Sequence, residues 1–226
     1  MNENALRVFL GYDARESIGF HVCVQSLMET CSMRFSIIPL CAMDHKDGTN
    51  AFTYERFMVP MLCNYEGIAV FADGSDMLFL DDLAKIAKHA VENDCAVSVV
   101  KREYKTRHSR KYVGTDMESD NGDYPRKNWS SLMVFNCAHP ANKSLSRGYL
   151  DAMGGSIHRF PWLHDSIIGE IPERWNVLVG EDGDDEIDPA VLHYTLGIPA
   201  FKHYLLKKHS AVWFKAAMRV NGGVGS

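Results

Sequence analysis

The first hundred residues alternate between short apolar runs and amphipathic segments. "LRVFLGYD", "IAVFADGSD" and "CAVSVVK" open with apolar, partly β-branched runs of strand length, whereas "SIGFHVCVQSLMETC" carries apolar residues at helical spacing. "RFSIIPLC" is predicted to be a strand that breaks near Pro39, and "TYERFMVPMLCNY" a helix that Pro60 bends or ends. "LDDLAKIAKHAVEND" is predicted to be an amphipathic helix whose inward-facing residues are Leu83, Ile86, Ala87 and Ala90. Parallel strands need crossover connections, and helices in those crossovers cover the sheet. The alternation therefore predicts an α/β fold with a mainly parallel, Rossmann-like sheet and helices on both faces.

Length and composition fit a single domain over residues 1–226. The 226 residues are 46% hydrophobic, which is enough for a substantial core. The net charge of −5 argues against a nucleic-acid partner. No uncharged run approaches the ~20 residues of a membrane helix, and the six cysteines are scattered without a CxxC pair. We expect buried free thiols, no integral membrane segment and a cytoplasmic location.

One predicted strand runs directly into two carboxylates, in "IAVFADGSDMLFLDD". Asp73 and Asp76 would be costly at a buried strand end without a cation. Mg²⁺ and Mn²⁺ take such oxygen ligands, and ligands of parallel sheets gather at the carboxyl ends of strands. In a continued strand the two side chains would point to opposite faces, so they converge only if Gly74 turns the chain at positive φ. The alternative is an ordinary strand-ending turn.

The second half is less regular. Residues 102–128 are polar and poor in aliphatic side chains, which is typical of a long functional surface loop. The basic stretch "KREYKTRHSRKY" overlaps this loop, and it is interpreted as a contact for phosphates or for an anionic acceptor, or as a solvated lid. "WSSLMVFNC" and "VLHYT" are predicted strands.

These motifs, in this order, resemble the glycosyltransferases of the GT-A fold, in particular the family 8 type that includes glycogenin and bacterial lipopolysaccharide galactosyltransferases. The resemblance covers most of the chain. "VFLGYD" is similar to the first strand and its nucleotide loop, and "TYERFMVP" to a helix with an arginine. "VFADGSDMLFLDDL" resembles the Asp-x-Asp strand, and "WSSLMVFN" a strand that ends on asparagine. "WLHDSIIGEIPERWN" and "LHYT" resemble the acceptor-side segment and the late histidine of the metal site.

The resemblance implies transfer of a hexose from a nucleotide-diphosphate sugar, a UDP-sugar, to a hydroxyl of a carbohydrate, glycolipid or glycoprotein, with retention. Residues 1–100 would form the nucleotide-binding half, and residues 101–226 the half that binds the acceptor and completes the metal site. Mn²⁺ or Mg²⁺ would be held by Asp73, Asp76 and His193. Asp165 would orient the donor sugar or an acceptor hydroxyl. The implied donor contacts are Gly11, Tyr12, Asp13, Arg56, Asp73 and Lys202.

The sequence departs from the family pattern at three places. The family's two aspartates are two positions apart, so Asp73 is expected to take the first role through a bulged turn. Ile198 stands where the family has a lysine, and the diphosphate contact is expected to move to Lys202 or Lys207. "WSS" at 129–131 replaces an Asn-Ser-Gly motif that contacts the donor sugar.

Several residues keep a purely structural alternative. His193 can be a hydrogen-bonded core histidine, and Asp165 can cap the turn that follows it. Trp162 and Trp175 can stack on a sugar ring or pack in the core. The alternative functions are a metal-dependent nucleotidyltransferase or phosphoesterase and a non-catalytic sugar-binding module. A nucleotidyltransferase normally has a glycine-rich basic loop, whereas "GYDARES" has one glycine and one arginine.

Overall fold

The structure, a computed structural model, describes residues 5–41, 50–181 and 187–220. The strands are β1 (Leu6–Gly11), β2 (Phe35–Leu40), β3 (Ile68–Ala72), β4 (Met77–Phe79), β5 (Val97–Val99), β6 (Arg110–Lys111), β7 (Ser119–Asp120), β8 (Leu132–Asn136), β9 (Ile168–Glu170), β10 (Val177–Leu178) and β11 (Val191–His193). The α-helices are α1 (Ser17–Thr30), α2 (Val59–Leu62), α3 (His89–Glu92), α4 (Arg147–Met153) and α5 (Ser210–Val220). The 3-10 helices are Ala14–Glu16, Glu55–Met58, Leu83–Lys85, Trp129–Ser131, Pro140–Ser144, Gly154–Arg159, Asp165–Ile167, Glu173–Asn176 and Lys202–Tyr204.

The central sheet has six strands in the order β2-β1-β3-β8-β5-β9. β1 pairs in parallel with β2 and β3, and β5 pairs in parallel with β9. β8 is antiparallel to both of its neighbours, β3 and β5. The predicted mainly parallel α/β sheet is therefore confirmed, and the strand predicted from "WSSLMVFNC" is its antiparallel member.

Side chains alternate between two apolar layers along the central strands. On β1, Val8 and Leu10 join a cluster that includes residues of α1 and α3, whereas Phe9 joins a second cluster that includes residues of α2 and α4. Successive residues of a strand point to opposite faces, so the two clusters cover the two faces of the sheet. Helices on both faces are confirmed.

A second sheet has three strands in the order β10-β11-β4, and β4 directly follows the acidic turn of residues 73–76. β4 follows β3 after a short turn and pairs antiparallel with β11. β10 pairs in parallel with β11. This sheet brings residues from the last third of the chain to the carboxyl end of β3.

Two prolines lie in regular elements that they were expected to interrupt. Pro39 lies inside β2 and pairs with Leu10, so the predicted break of this strand is wrong. An edge strand tolerates the missing N–H, because one side of the strand has no partner. Pro60 lies in the first turn of α2, where a proline costs no helical hydrogen bond, rather than at the end of the helix.

The expected helix in "LDDLAKIAKHAVEND" is divided into the 3-10 helix Leu83–Lys85 and the short α3. Its predicted inward-facing residues are nevertheless all buried: Leu83, Ile86, Ala87 and Ala90.

The cysteines agree with the composition-based prediction. Cys23, Cys63, Cys95 and Cys137 are buried free thiols, Cys31 is half-buried and only Cys41 is exposed. Within the described ranges, no helix is both long and apolar enough to cross a membrane.

Candidate metal and donor site

The turn between β3 and β4 brings two carboxylates together. Gly74 has φ of 72°, and a Cβ atom there would lie 2.4 Å from the carbonyl oxygen of Gly11. Ser75 N donates to Asp73 O across the turn at 2.8 Å. Asp73 and Asp76 therefore point to the same place, although a continued strand would separate them. Only glycine combines this backbone conformation with such close packing.

Strand pairing brings His193 to the same place. β11 runs antiparallel to β4 with His193 opposite Met77, and Tyr194 N donates to Asp76 O at 2.8 Å. One ligand atom from each of Asp73, Asp76 and His193 lies within 4.8 Å of the others, and all three residues are buried. We call these three residues the Asp-Asp-His group.

Asn176 determines which nitrogen of His193 carries a proton. Its Nδ2 donates to Asn128 O at 3.0 Å, which leaves Oδ1 as an acceptor 2.9 Å from His193 Nδ1. Because His193 Nδ1 then donates to this oxygen, Nε2 faces the carboxylates, 3.2 Å from Asp76 Oδ2 and 3.7 Å from Asp73 Oδ2. A second partner of this kind is typical of a metal-binding histidine. Asn176 is the last residue of "PERWN", and the sequence analysis predicts no role for it.

Arg56 neutralises part of the charge of this group. Its Nη1 lies 2.6 Å from Asp73 Oδ1 and donates to Ser130 O at 3.0 Å. Burial raises the pKa of Asp73 above its ordinary value, with Arg56 opposing and Asp76 adding to the increase.

Asp76 and His193 shift each other's pKa in opposite directions. Burial alone would lower the pKa of His193, but the Asp76 carboxylate outweighs burial and the pKa is raised. For Asp76, burial opposes ionisation but His193 outweighs it, so the pKa is lowered. Asp76 is therefore an ionised carboxylate across the neutral pH range.

The donor set fits a divalent cation. Two carboxylates and an imidazole suit Mn²⁺ well, and carboxylates also suit Mg²⁺. Asp76 Oδ1 is buried and has no hydrogen-bond partner, which is costly for a carboxylate unless another group binds it. We conclude that Asp73, Asp76 and His193 could hold such an ion.

The Asp-Asp-His group lines a cavity of about 550 Å³, which we call the donor cavity. This volume is typical of a small-molecule site. The other lining residues are Asn50, Thr53, Tyr54, Arg56, Lys111, Tyr112, Met117, Ser119, Asp120, Tyr124, Asn128, Ser130, Ser131, Gly155, His158, Arg159 and Thr195. Ser130 Oγ lies 2.8 Å from His158 Nδ1, and burial, followed by the Arg56 charge, lowers the pKa of His158 to about 3.

The loop after β1 lies behind the acidic turn. Gly11, Tyr12 and Asp13 do not line the donor cavity, whereas Arg56, Asp73, Asp76 and His193 line it together. The Gly11 carbonyl oxygen packs against Gly74, and the Tyr12 ring packs edge-on against Phe20.

Asp13 caps the 3-10 helix Ala14–Glu16. Its carboxylate accepts a hydrogen bond from Arg15 N at 3.0 Å and lies 2.6 Å from the guanidinium of the same residue. Burial raises the pKa of Asp13, but these contacts outweigh burial and lower it.

Asp165 lies outside the donor cavity. Its side chain is 75% exposed, contacts Arg126 at 2.5 Å and lines a neighbouring cavity of about 570 Å³. Tyr124 lines both cavities, so the two adjoin. The capping alternative for Asp165 is wrong, because His164 Nδ1 accepts the hydrogen bond from Ser166 N.

The two lysines proposed as diphosphate contacts do not line the donor cavity. Lys202 is exposed in its 3-10 helix, and Lys207 lines a separate cavity of about 260 Å³. Trp175 is buried, and Trp162 stacks on Phe160 with ring centroids 5.3 Å apart, so both tryptophans pack in the core.

The polar segment 102–128 is folded against the protein rather than fully solvated. β6 and β7 form a hairpin within it, and Tyr112, Met117 and Lys127 are buried. Lys127 Nζ donates to Asn121 Oδ1 at 2.8 Å. Within the basic stretch 101–112, which was interpreted as a phosphate contact or a solvated lid, Tyr112 is buried and residues 101–111 are exposed or half-buried.

Comparison with solved structures identifies the fold. The bifunctional glycosyltransferase WbbM superposes with a TM-score of 0.67 at 16% identity, over 96% of this chain and 51% of that one. An active-site mutant of LgtC superposes with a TM-score of 0.62 at 10% identity, over 95% of this chain and 96% of that one. The galactosyltransferase LgtC with donor and acceptor sugar analogs gives a TM-score of 0.56 at 11% identity, with the same coverage. The protein thus has the GT-A glycosyltransferase fold of the family 8 type, as predicted.

Sequence comparison adds a family. No protein-family model matches the chain. The chain is 33% identical over 231 aligned residues to Protein CDI of Arabidopsis thaliana, which covers 95% of this chain and 87% of that protein. It therefore belongs to the family of Protein CDI. Against WbbM, by contrast, it spans about half of the compared chain.

Proposed function

We propose that this protein is a metal-dependent glycosyltransferase that moves a hexose from a UDP-sugar to an acceptor hydroxyl, with retention. The Asp-Asp-His group, buried in the donor cavity of a GT-A fold, is the observation that carries the proposal. The fold neighbour LgtC, solved with donor and acceptor sugar analogs, supports a sugar donor and a sugar acceptor.

The chain's own residues prepare the site for an ionic substrate. Arg56 holds the Asp73 carboxylate in place, and Asn176 holds His193 with Nε2 towards the carboxylates. Asp73, Asp76 and His193 would hold Mn²⁺ or Mg²⁺, which would supply positive charge to offset the negative charge that develops on the diphosphate. The three residues of the group are buried, so water screens the electrostatic contacts of their side chains less than it screens contacts at the surface.

The transfer breaks the bond between the anomeric carbon and the diphosphate oxygen, which keeps the electron pair. A new bond forms between that carbon and the acceptor oxygen, and the proton of the acceptor hydroxyl passes to the diphosphate that leaves. Asp165 is proposed to contact the acceptor rather than the donor, because it lines the adjoining cavity. Gly11, Tyr12 and Asp13 remain predicted nucleotide contacts.

The wider setting also remains a proposal. We take residues 1–226 as a single domain, with a nucleotide-binding half to residue 100 and an acceptor half after it. The acceptor is a carbohydrate, glycolipid or glycoprotein, and the protein acts in the cytoplasm.

The direct test is nucleotide release from a panel of nucleotide sugars in the presence of Mn²⁺. We expect one UDP-sugar to be hydrolysed, excess EDTA to stop the reaction and added Mn²⁺ to restore it. Asp76→Asn should abolish release, whereas Asp116→Asn, which changes an exposed carboxylate, should not. Release that persists in EDTA, or consumption of a nucleoside triphosphate instead, would contradict the proposal.

A further inference from the structure

Cationic side chains, besides the metal, can bind the diphosphate of the proposed donor. Position 198 does not provide such a side chain. Ile198 stands where the family has a lysine, and its side chain is buried in a cluster with Tyr194 and Trp213. Lys202 and Lys207 lie outside the donor cavity. The carboxyl-terminal part of the chain therefore places no lysine among the described residues that line this cavity.

Three side chains of permanent positive charge line the donor cavity: Arg56, Lys111 and Arg159. Arg56 is occupied by Asp73 in a buried ion pair. Arg159 is the last residue of the 3-10 helix Gly154–Arg159, which forms one side of the cavity. In the same helix, His158 packs against Phe57. Lys111 makes no ion pair with any of the residues that the structure describes, and its side chain is half-buried.

Lys111 lines the same cavity as the three residues of the Asp-Asp-His group. An ammonium group in this place can contact phosphate oxygens that also approach a cation held by Asp76.

The hairpin holds Lys111 in this position. Lys111 on β6 pairs with Ser119 on β7, and Ser119 also lines the donor cavity. Its neighbour Arg110 lines the separate cavity of about 260 Å³ and pairs with Glu118 and Asp120 at 3.0 and 2.6 Å. Arg110 does not line the donor cavity, so Lys111 is the one of these two basic residues that can face the donor.

The end of β6 is attached to the segment that follows His193. Tyr112 is buried with φ of 56°, and its N donates to Leu196 O at 2.7 Å. Val113 N donates to the hydroxyl of Tyr204 at 3.0 Å. A bulky residue at positive φ is uncommon. It is tolerated here because the backbone N–H groups of Tyr112 and Val113 both donate hydrogen bonds.

We infer that Lys111 binds the diphosphate of the donor, so that the hairpin supplies the cation that the carboxyl-terminal segment lacks. The inference rests on the proposed function. It assigns specificity to the hairpin: the ammonium favours donors with two phosphates over donors with one.

The test measures the dissociation constants of UDP and UMP by calorimetry with Mn²⁺ present, for wild type, Lys111→Met, Lys111→Arg and Lys202→Met. Loss of one charge-assisted contact should weaken UDP binding by Lys111→Met about tenfold or more, and UMP binding much less. Lys111→Arg should keep most of the affinity for UDP. That result would show that Lys111→Met binds UDP weakly because it lacks the charge, and not because it is misfolded. Lys202→Met, which removes an exposed lysine, should bind UDP as wild type does.

The two proposals fail in different ways. Wild type that does not bind UDP in the presence of Mn²⁺ would overturn the proposed function, and this inference with it. Wild type that binds UDP while Lys111→Met binds it equally well would overturn the inference alone. Equal losses in Lys111→Met and Lys202→Met would also overturn it, because the effect would then be one of overall charge.

Discussion

Asn176 is a positioning residue that acts on the site through His193 and does not itself line the donor cavity. Asn176→Ala should lower the affinity for Mn²⁺ by roughly 10- to 100-fold, since the ring loses the acceptor that orients it. Asn176→Asp keeps an acceptor oxygen and should retain most of the affinity. Calorimetric titration with Mn²⁺ measures both, and Asn93→Ala, at an exposed position, is the control. An Asn176→Ala variant with unchanged affinity would remove Asn176 from the site.

His158 makes stability depend on pH through its lowered pKa. The unfolded chain binds a proton below about 6.5, whereas the folded chain binds one only near pH 3. The unfolded state therefore binds more protons between these values, and stability falls as the pH drops through this window.

The slope from this one group is at most about 1.4 kcal/mol per pH unit. His158→Phe should flatten the dependence of the unfolding free energy on pH between 6 and 4.5. Urea unfolding at several pH values measures this slope. An unchanged slope in the variant would show that the pKa of His158 is not lowered in the folded protein.

Sequence reasoning predicted the residues of the metal group better than the residues that support it. Asp73 and Asp76 follow a strand, and a family pattern marks His193. Asn176 carries no such mark, and Lys111 was marked only as one of several basic residues in "KREYKTRHSRKY", because the contacts that place both residues are with residues far away in the chain. Their neighbours are determined by strand pairing, which local composition does not show.

The turn between β3 and β4 depends on Gly74 in two ways. Gly74→Ala should lose the positive-φ conformation at a cost of about 1–2 kcal/mol, and its Cβ would also clash with Gly11 O. We expect the variant to lose Mn²⁺ binding, because the two carboxylates no longer converge.

Gly114→Ala is a matched control for this variant. Gly114 has φ of 76°, and a Cβ atom added there would meet nothing within 4 Å, so this substitution carries only the conformational cost. Mn²⁺ titration and urea unfolding of both variants separate the two effects. If Gly74→Ala binds Mn²⁺ as wild type does, the turn does not create the site.

The elements themselves were predicted unevenly, for a physical reason. Long apolar strands and the helix α1 have a clear period and were found. The hairpin of β6 and β7 has two residues in each strand, which is too short for any periodicity. The antiparallel direction of β8 could not be predicted either, because a strand's own side chains are the same in both directions.

The whole molecule combines distant parts of the chain into one site. β3 and the acidic turn come from the first hundred residues, the hairpin comes from the middle, and Asn176 and His193 come from the last third. The GT-A resemblance predicted that Asp73, Asp76 and His193 meet, but it did not predict the positions of the hairpin or of Asn176. The functional division at residue 100 stays a prediction.

The central claim is that the Asp-Asp-His group binds a divalent cation which in turn binds the diphosphate of the donor. UDP should therefore raise the melting temperature of the wild-type protein with Mn²⁺, but not in excess EDTA, because Asp73 and Asp76 repel a bare diphosphate. At 100 times its dissociation constant UDP adds about 2.7 kcal/mol, a shift of several degrees for a domain of this size. An equal shift with UDP in Mn²⁺ and in EDTA, or no shift in either, would contradict the claim.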